Sequence, residues 1–435
     1  MKNKQLYFSM LLVGMSLGTA WAIRGQFGHE HGAAWAGAIG SLSVLLVAKR
    51  PDWYAKVFAA TLAGAIGWGL GGLSSYGMVV GYGRGTDFIN VYYGLMMLFA
   101  IGGLYGFVGG GLFGLALANT EDKPVKWHEV IIEMVVGAVV FYFFMIEEFE
   151  WRMTPPRSEM WAACFGSAVA LTWYLVRHKQ TAALRVAVFT GLGGAFGFGF
   201  GNVLQVLGNL TDIKFNFWNV MEYSLGFFGG LGMAYGTLTS KWEKSDGKEP
   251  KSKVWFPLLM VVLIIPFIVW DQSFGLERLQ GIFTKLEITP DSPLMPGVQW
   301  TSIGLVVAFA ILWWIKLYQN KSNPLSYTQK EVFTLFLGHW GLYVVFSLLV
   351  TGAFMSGYRI EQYLYIVNWV AVAFLISKTQ PSFADKPIAI QKWAAGFGLS
   401  LVFFALMALM LINSHGEVKN AKKRFGAPPL VEETK

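Results

Sequence analysis

Apolar runs repeated along almost the whole chain constrain this fold more than any other feature. Thirteen of them, roughly 6–23, 32–48, 57–76, 91–117, 129–147, 159–176, 184–203, 221–239, 254–271, 299–317, 331–354, 362–377 and 392–413, are long enough to cross or nearly cross a bilayer as helices. Backbone groups in hydrocarbon have no water to bond, and a helix satisfies them within one segment. Only 14% of residues are charged, well below the share usual in soluble domains. The chain is expected to be an all-α polytopic membrane protein with about 13 transmembrane helices.

The 51 glycines sit inside these runs, spaced G-x-x-G and G-x-G, where they let helix backbones approach closely. The G-x-G-x-G stretches at 67–71 and 197–201 follow no strand and belong to no βαβ unit, so helix packing is preferred over a dinucleotide loop. A net charge of +8 would invite nucleic acid in a soluble protein. Here the basic residues gather in alternate loops: 21 Lys and Arg on the N-terminal side of the predicted membrane and 8 on the other. Excess positive charge marks the cytoplasmic face. A cytoplasmic N-terminus in a cell inner (plasma) membrane follows, and no nucleic-acid partner is expected. The basic tail after residue 413 disagrees, since an odd number of spans puts it outside. The first run has the flavour of a signal peptide but continues into a hairpin partner, so it reads as a retained span. The single Cys164 excludes an intramolecular disulfide framework.

Internal similarity comes next. Residues 67–106 resemble 197–236, each with a glycine-rich run, a Thr-Asp pair (Thr86-Asp87, Thr211-Asp212), an Asn-Val pair and a second run ending at a glycine-flanked Tyr. Four blocks are expected: four-helix repeats at 1–120 and 121–245, a weaker copy at 246–390, and a final helix with basic tail at 391–435. Repeats with an even number of spans enter the membrane the same way up. The ends of the first, fifth and ninth spans, carrying Arg24, Glu147 with Glu148, and Asp271, are then expected at one depth.

The connector between the first two runs, RGQFGHEHG, holds Arg24, His29, Glu30 and His31 within eight residues. An Arg can grip an anionic group with two donors, and His beside Glu exchanges protons near neutrality. Arg24, Arg84, His29, His31 and His339 are expected to contact solute, His339 being the most deeply placed of them in its run. Glu30, Glu147, Glu148, Glu150 and Asp271 are expected to carry a coupling proton or sodium ion, and Arg152 with Asp87 to form a gate ion pair. Adjacent alternate histidines point apart on a helix, so no metal site is expected, and no cofactor either. These readings converge on a proton- or sodium-coupled secondary transporter for a small polar, anionic or sugar-like solute. An intramembrane transferase acting on a lipid-linked or extracytoplasmic sugar, with a His/Glu acid–base pair, is the alternative; a structural subunit of a membrane complex is the third. The expected partners are a small-molecule solute and the lipid bilayer, with oligomeric state open.

Overall fold

The computed structural model describes residues 2–245, 251–289, 292–320, 326–353 and 359–426, and they are helical with no strands. In chain order come α1 (Lys2–Arg24), α2 (His29–Ala48), the short α3 (Pro51–Tyr54), α4 (Val57–Gly72), the short α5 (Gly77–Tyr82) and α6 (Phe88–Ala118). They are followed by α7 (Trp127–Tyr142), α8 (Ser158–Arg177), α9 (Thr181–Asn209), α10 (Phe217–Leu238), α11 (Lys251–Leu259) and α12 (Ile265–Ser273). The last five are α13 (Leu276–Lys285), α14 (Leu294–Gln319), α15 (Gln329–Thr351), α16 (Ile360–Ile376) and α17 (Ile390–Ile412). A π-helical turn over Phe143–Glu148 prolongs α7, and another over Met260–Ile264 joins α11 to α12.

Among the described residues ten helical stretches are long and apolar enough to cross a membrane. Each predicted run falls on a helix, but three of those helices differ from the ten. Helices α4 and α16 have 16 and 17 residues, and α10, though 22 residues long, carries Asn219, Glu222 and Ser224 in its first half. The outward face of α7 exposes Ile131, Ile132, Val135, Val136 and Val139, and that of α14 exposes Leu305, Val307, Ile311 and Leu312. Such contiguous apolar surface suits hydrocarbon and would be a liability in water.

Six helices close a ring: α1 packs on α2, α2 on α4, α4 on α6, α6 on α9, α9 on α10, and α10 returns to α1. Its interior is filled by aromatic side chains. Trp68 of α4 lies against Gly37 of α2, Gly109 of α6 and Gly229 of α10. Trp21 meets Trp68 edge-on at 5.5 Å and stacks on Tyr105 at 5.4 Å. The seam between α1 and α10 depends on two glycines four residues apart on each helix, Gly14 with Gly18 and Gly226 with Gly230. A Cβ on Gly226 would stand 2.5 Å from the Leu17 carbonyl oxygen, and one on Gly230 2.7 Å from that of Val13. The glycine-rich stretches do the same work elsewhere: a Cβ on Gly67 would lie 2.5 Å from the Val108 oxygen, and one on Gly197 2.5 Å from that of Ser224.

The ring draws α1, α2, α4 and α6 from residues 1–120 and α9 and α10 from residues 121–245, so these two blocks share one core. Helices α7 and α8 pair with each other and lie outside the ring. From the later blocks, α12 and α15 cover α2, α11 covers α4, α16 covers α1, and α17 lies along α6 and α9. Beyond α17 the chain turns back over the bundle. The Lys422 amide donates to the Gly81 carbonyl at 2.9 Å, and Asn90 Oδ1 accepts from the amides of Arg424 and Phe425, the latter at 2.9 Å. The tail therefore rests at the end of the ring that carries α5 and the start of α6.

Candidate functional site

Arg24 is the last residue of α1, Glu222 lies in the second turn of α10, and Tyr76 ends the connection from α4 to α5. The ring brings all three together at one end of its closing seam. Arg24 is 2% exposed and Glu222 0%. Arg24 Nη1 stands 3.3 Å from Glu222 Oε1. Nη1 also donates to the Tyr76 hydroxyl, which in turn donates to Glu222 Oε1, so the phenol bridges the pair.

The other donors of Arg24 point back toward the second helix. Nε and Nη2 bond the His29 carbonyl at 3.3 and 3.1 Å, and Nη2 lies 3.0 Å from His29 Nδ1. A guanidinium only donates, so Nδ1 accepts and the imidazole proton sits on Nε2. The guanidinium also lies 5.0 Å from the centre of the Trp21 ring and 5.4 Å from that of Tyr76. His29 is exposed on its outer side, so it connects the buried ion pair with the surface.

The remaining expected residues are dispersed around this end. His31 Nδ1 bonds Gln272 Oε1 at 3.0 Å, and Glu30 pairs with Arg157 at 4.0 Å. The two histidines of the connector thus face different partners. No three His, Cys, Asp or Glu side chains among the described residues stand close enough to hold a metal ion. Glu147, Glu148 and Glu150 are exposed, because the α7–α8 pair that carries them stands outside the ring. Asp271 is exposed as well. The expected layer of Arg24, Glu148 and Asp271 is therefore not one cluster; the acid that meets Arg24 comes from α10. Arg152 and Asp87 form no ion pair. Arg152 is exposed, while Asp87 caps α6, accepting from the Asn90 amide at 3.0 Å and the Asn90 side chain at 2.9 Å. His339 is fully buried between Trp35 and Phe309, at ring distances of 5.4 and 6.1 Å. Neither of its ring nitrogens has a hydrogen-bond partner among the described residues.

Arg84 lies nearer the tail. Its guanidinium is 5.7 Å from the centre of the Trp218 ring, which is stacked toward Tyr76 at 6.2 Å. It lines a cavity of about 460 Å³ that Trp218 separates from the ion pair.

Sequence reasoning missed Glu222 and Tyr76. The signal for Glu222 was present, since a lone acid within an otherwise apolar stretch, NVMEYSLGFF, is costly unless it is paired.

Residues 179–248, covering α9, α10 and the charged stretch after them, match the profile of a family described as Photosynthesis affected mutant 68. That likeness concerns one helical hairpin and what adjoins it. No curated protein and no solved structure matches the chain.

Proposed function

We propose that this chain is a proton-coupled secondary transporter of a small polar solute, with the Arg24–Tyr76–Glu222 cluster as its coupling element. The observation that carries the reading is the fully buried ion pair across the one seam that closes the ring. A charge pair excluded from water contributes little net stability, and within membrane-spanning helices it is a functional feature by default. Protonating Glu222 would leave Arg24 without its counter-charge and loosen α1 from α10. Solute binding near Tyr76 through Trp218 would bias the same seam.

The test is uptake into proteoliposomes with a pH-sensitive dye inside, using glucose 6-phosphate, inorganic phosphate, succinate and glucose as labelled probes. Concentrative uptake that collapses with a protonophore and disappears in Glu222→Gln is expected. Uptake by Glu222→Gln at the wild-type level would remove the cluster from the mechanism.

A second reading follows from the match over residues 179–248. It makes the protein a structural or assembly subunit in a photosynthetic membrane, with the α9–α10 hairpin as the shared part. Loss of a complex from that membrane on deletion of the gene, with no uptake by the purified protein, would favour it over transport.

A further inference from the structure

We infer that the cavity beside Arg84 is a binding site for an oxyanion with a hydroxylated body, of the sugar-phosphate type, and that the C-terminal segment is its strap. This deepens the transport reading by naming the solute class and rests on that reading only for what happens after binding.

The walls of the cavity have a definite chemistry. Arg84 and Lys419 contribute two positive charges, and no carboxylate among the described residues lines it. Asn209 and Asn216 add side-chain amides, and Trp218 supplies a flat apolar face. Of the residues that line it, two have a buried side-chain donor without a partner among the described residues: Arg84 at Nε and Gln205, a side chain that is 0% exposed, at its amide nitrogen. Buried donors left without partners cost free energy, and an oxygen-rich anion would satisfy both. A guanidinium offers planar, two-pronged donation to phosphate or carboxylate, while amides and an aromatic face suit hydroxyl groups and a ring. The volume falls within the range of small-molecule pockets.

The segment 418–420 forms one side of the cavity, and what fixes it lies just beyond. Lys422 bonds the Gly81 carbonyl, and Asn90 both accepts from the amides at 424 and 425 and donates to the Phe425 carbonyl at 3.1 Å. Phe425 closes edge-on against Tyr93 at 5.2 Å. A Cβ on Gly81 would come within 2.5 Å of Lys422 Cγ, so glycine at this position leaves room for the strap. Release of a few backbone hydrogen bonds would open the cavity without disturbing the ring, as expected of a lid.

Titration calorimetry on the full-length purified protein tests this without a gradient. Soluble probes are glucose 6-phosphate, glycerol 3-phosphate and inorganic phosphate, with glucose as the uncharged control. Nanodiscs with and without phosphatidylglycerol test whether the phosphate belongs to a lipid headgroup. Saturable binding of a phosphate-bearing probe but not of glucose is expected, at least ten-fold weaker in Arg84→Gln and several-fold weaker in Lys419→Gln, whose exposed site leaves the fold intact. A chain ending at His415 should release the probe at least ten-fold faster. No binding of any phosphate-bearing probe, soluble or lipid, or equal binding by wild type and both variants, overturns the proposal. Binding by a wild-type protein that shows no uptake would uphold this site and sink the transport reading.

Discussion

Arg24 and Glu222 are each affordable only in the presence of the other. Removing the acid strands a guanidinium that has almost no access to water, and breaking a buried pair in this way costs about 3–5 kcal/mol. Glu222→Gln is therefore expected to lower the thermal midpoint of the detergent-solubilised protein sharply, and Arg24→Met to do likewise. The double variant Arg24→Met/Glu222→Leu, which removes both charges and keeps the volume, should recover most of that loss while uptake stays abolished. If the double variant were as unstable as the sum of the singles, the pair would not be coupled as described. His339 presents the opposite case. Its two ring nitrogens are buried without partners among the described residues, a cost of about 1–3 kcal/mol. His339→Leu should leave stability unchanged or raise it, and a large destabilisation measured by the same melt would show that the imidazole has a partner in the membrane. Of this chemistry, Arg24 was legible in the sequence because it ends a run beside a charged connector. Glu222 was signalled only as a lone acid in an apolar stretch and was passed over: a start at residue 221, drawn from apolarity alone, put it at the end of a run, whereas α10 begins at Phe217 and buries it in the second turn. Its bridge, Tyr76, is 146 residues away in sequence, and only the closing of the ring brings them together.

At the scale of the helix, glycine has two different meanings in this chain, and space distinguishes them. Gly226 faces the Leu17 backbone and the Trp21 side chain, with no room for a methyl group, whereas Gly396 of α17 has nothing within 4 Å of where its Cβ would be. Gly226→Ala should force α1 from α10, weaken the nearby Arg24–Glu222 contact, and reduce both thermal stability and uptake. Gly396→Ala should be neutral or stabilising by up to about 1 kcal/mol, since alanine restricts the unfolded chain and favours the helix. Equal effects of the two substitutions in a side-by-side melt would remove the close-packed seam from the account. That glycines join helices could be read from their spacing alone. Which helices they join could not, because Gly-x-x-x-Gly marks a face and not its partner. The packing of α6 along α9, which joins the two similar blocks, is visible only in the fold.

For the whole molecule, the contacts at the two ends fix how the termini stand relative to each other. The α1 helix runs from the N-terminal residues to Arg24, and Arg24 meets Tyr76 and Glu222 at the same end as α5. The tail is bonded to Gly81 at the end of α5, so it lies across the bundle from the N-terminus. Loop charge argues otherwise, because Lys419, Lys422, Lys423 and Arg424 would all prefer the side that holds the other lysines. The hydrogen bonds to Gly81 and Asn90 and the seating of Phe425 on Tyr93 give a physical reason for the exception: the segment is held as part of the fold, and late charges weigh less than the loops between early spans. The consequence is measurable whichever way up the protein inserts. In a Cys164→Ser background, a maleimide that does not cross membranes should label Lys4→Cys and Glu417→Cys from opposite sides of sealed vesicles. Labelling of both from one side would mean that the tail leaves its seat on α5, and the strap over the Arg84 cavity would be lost with it.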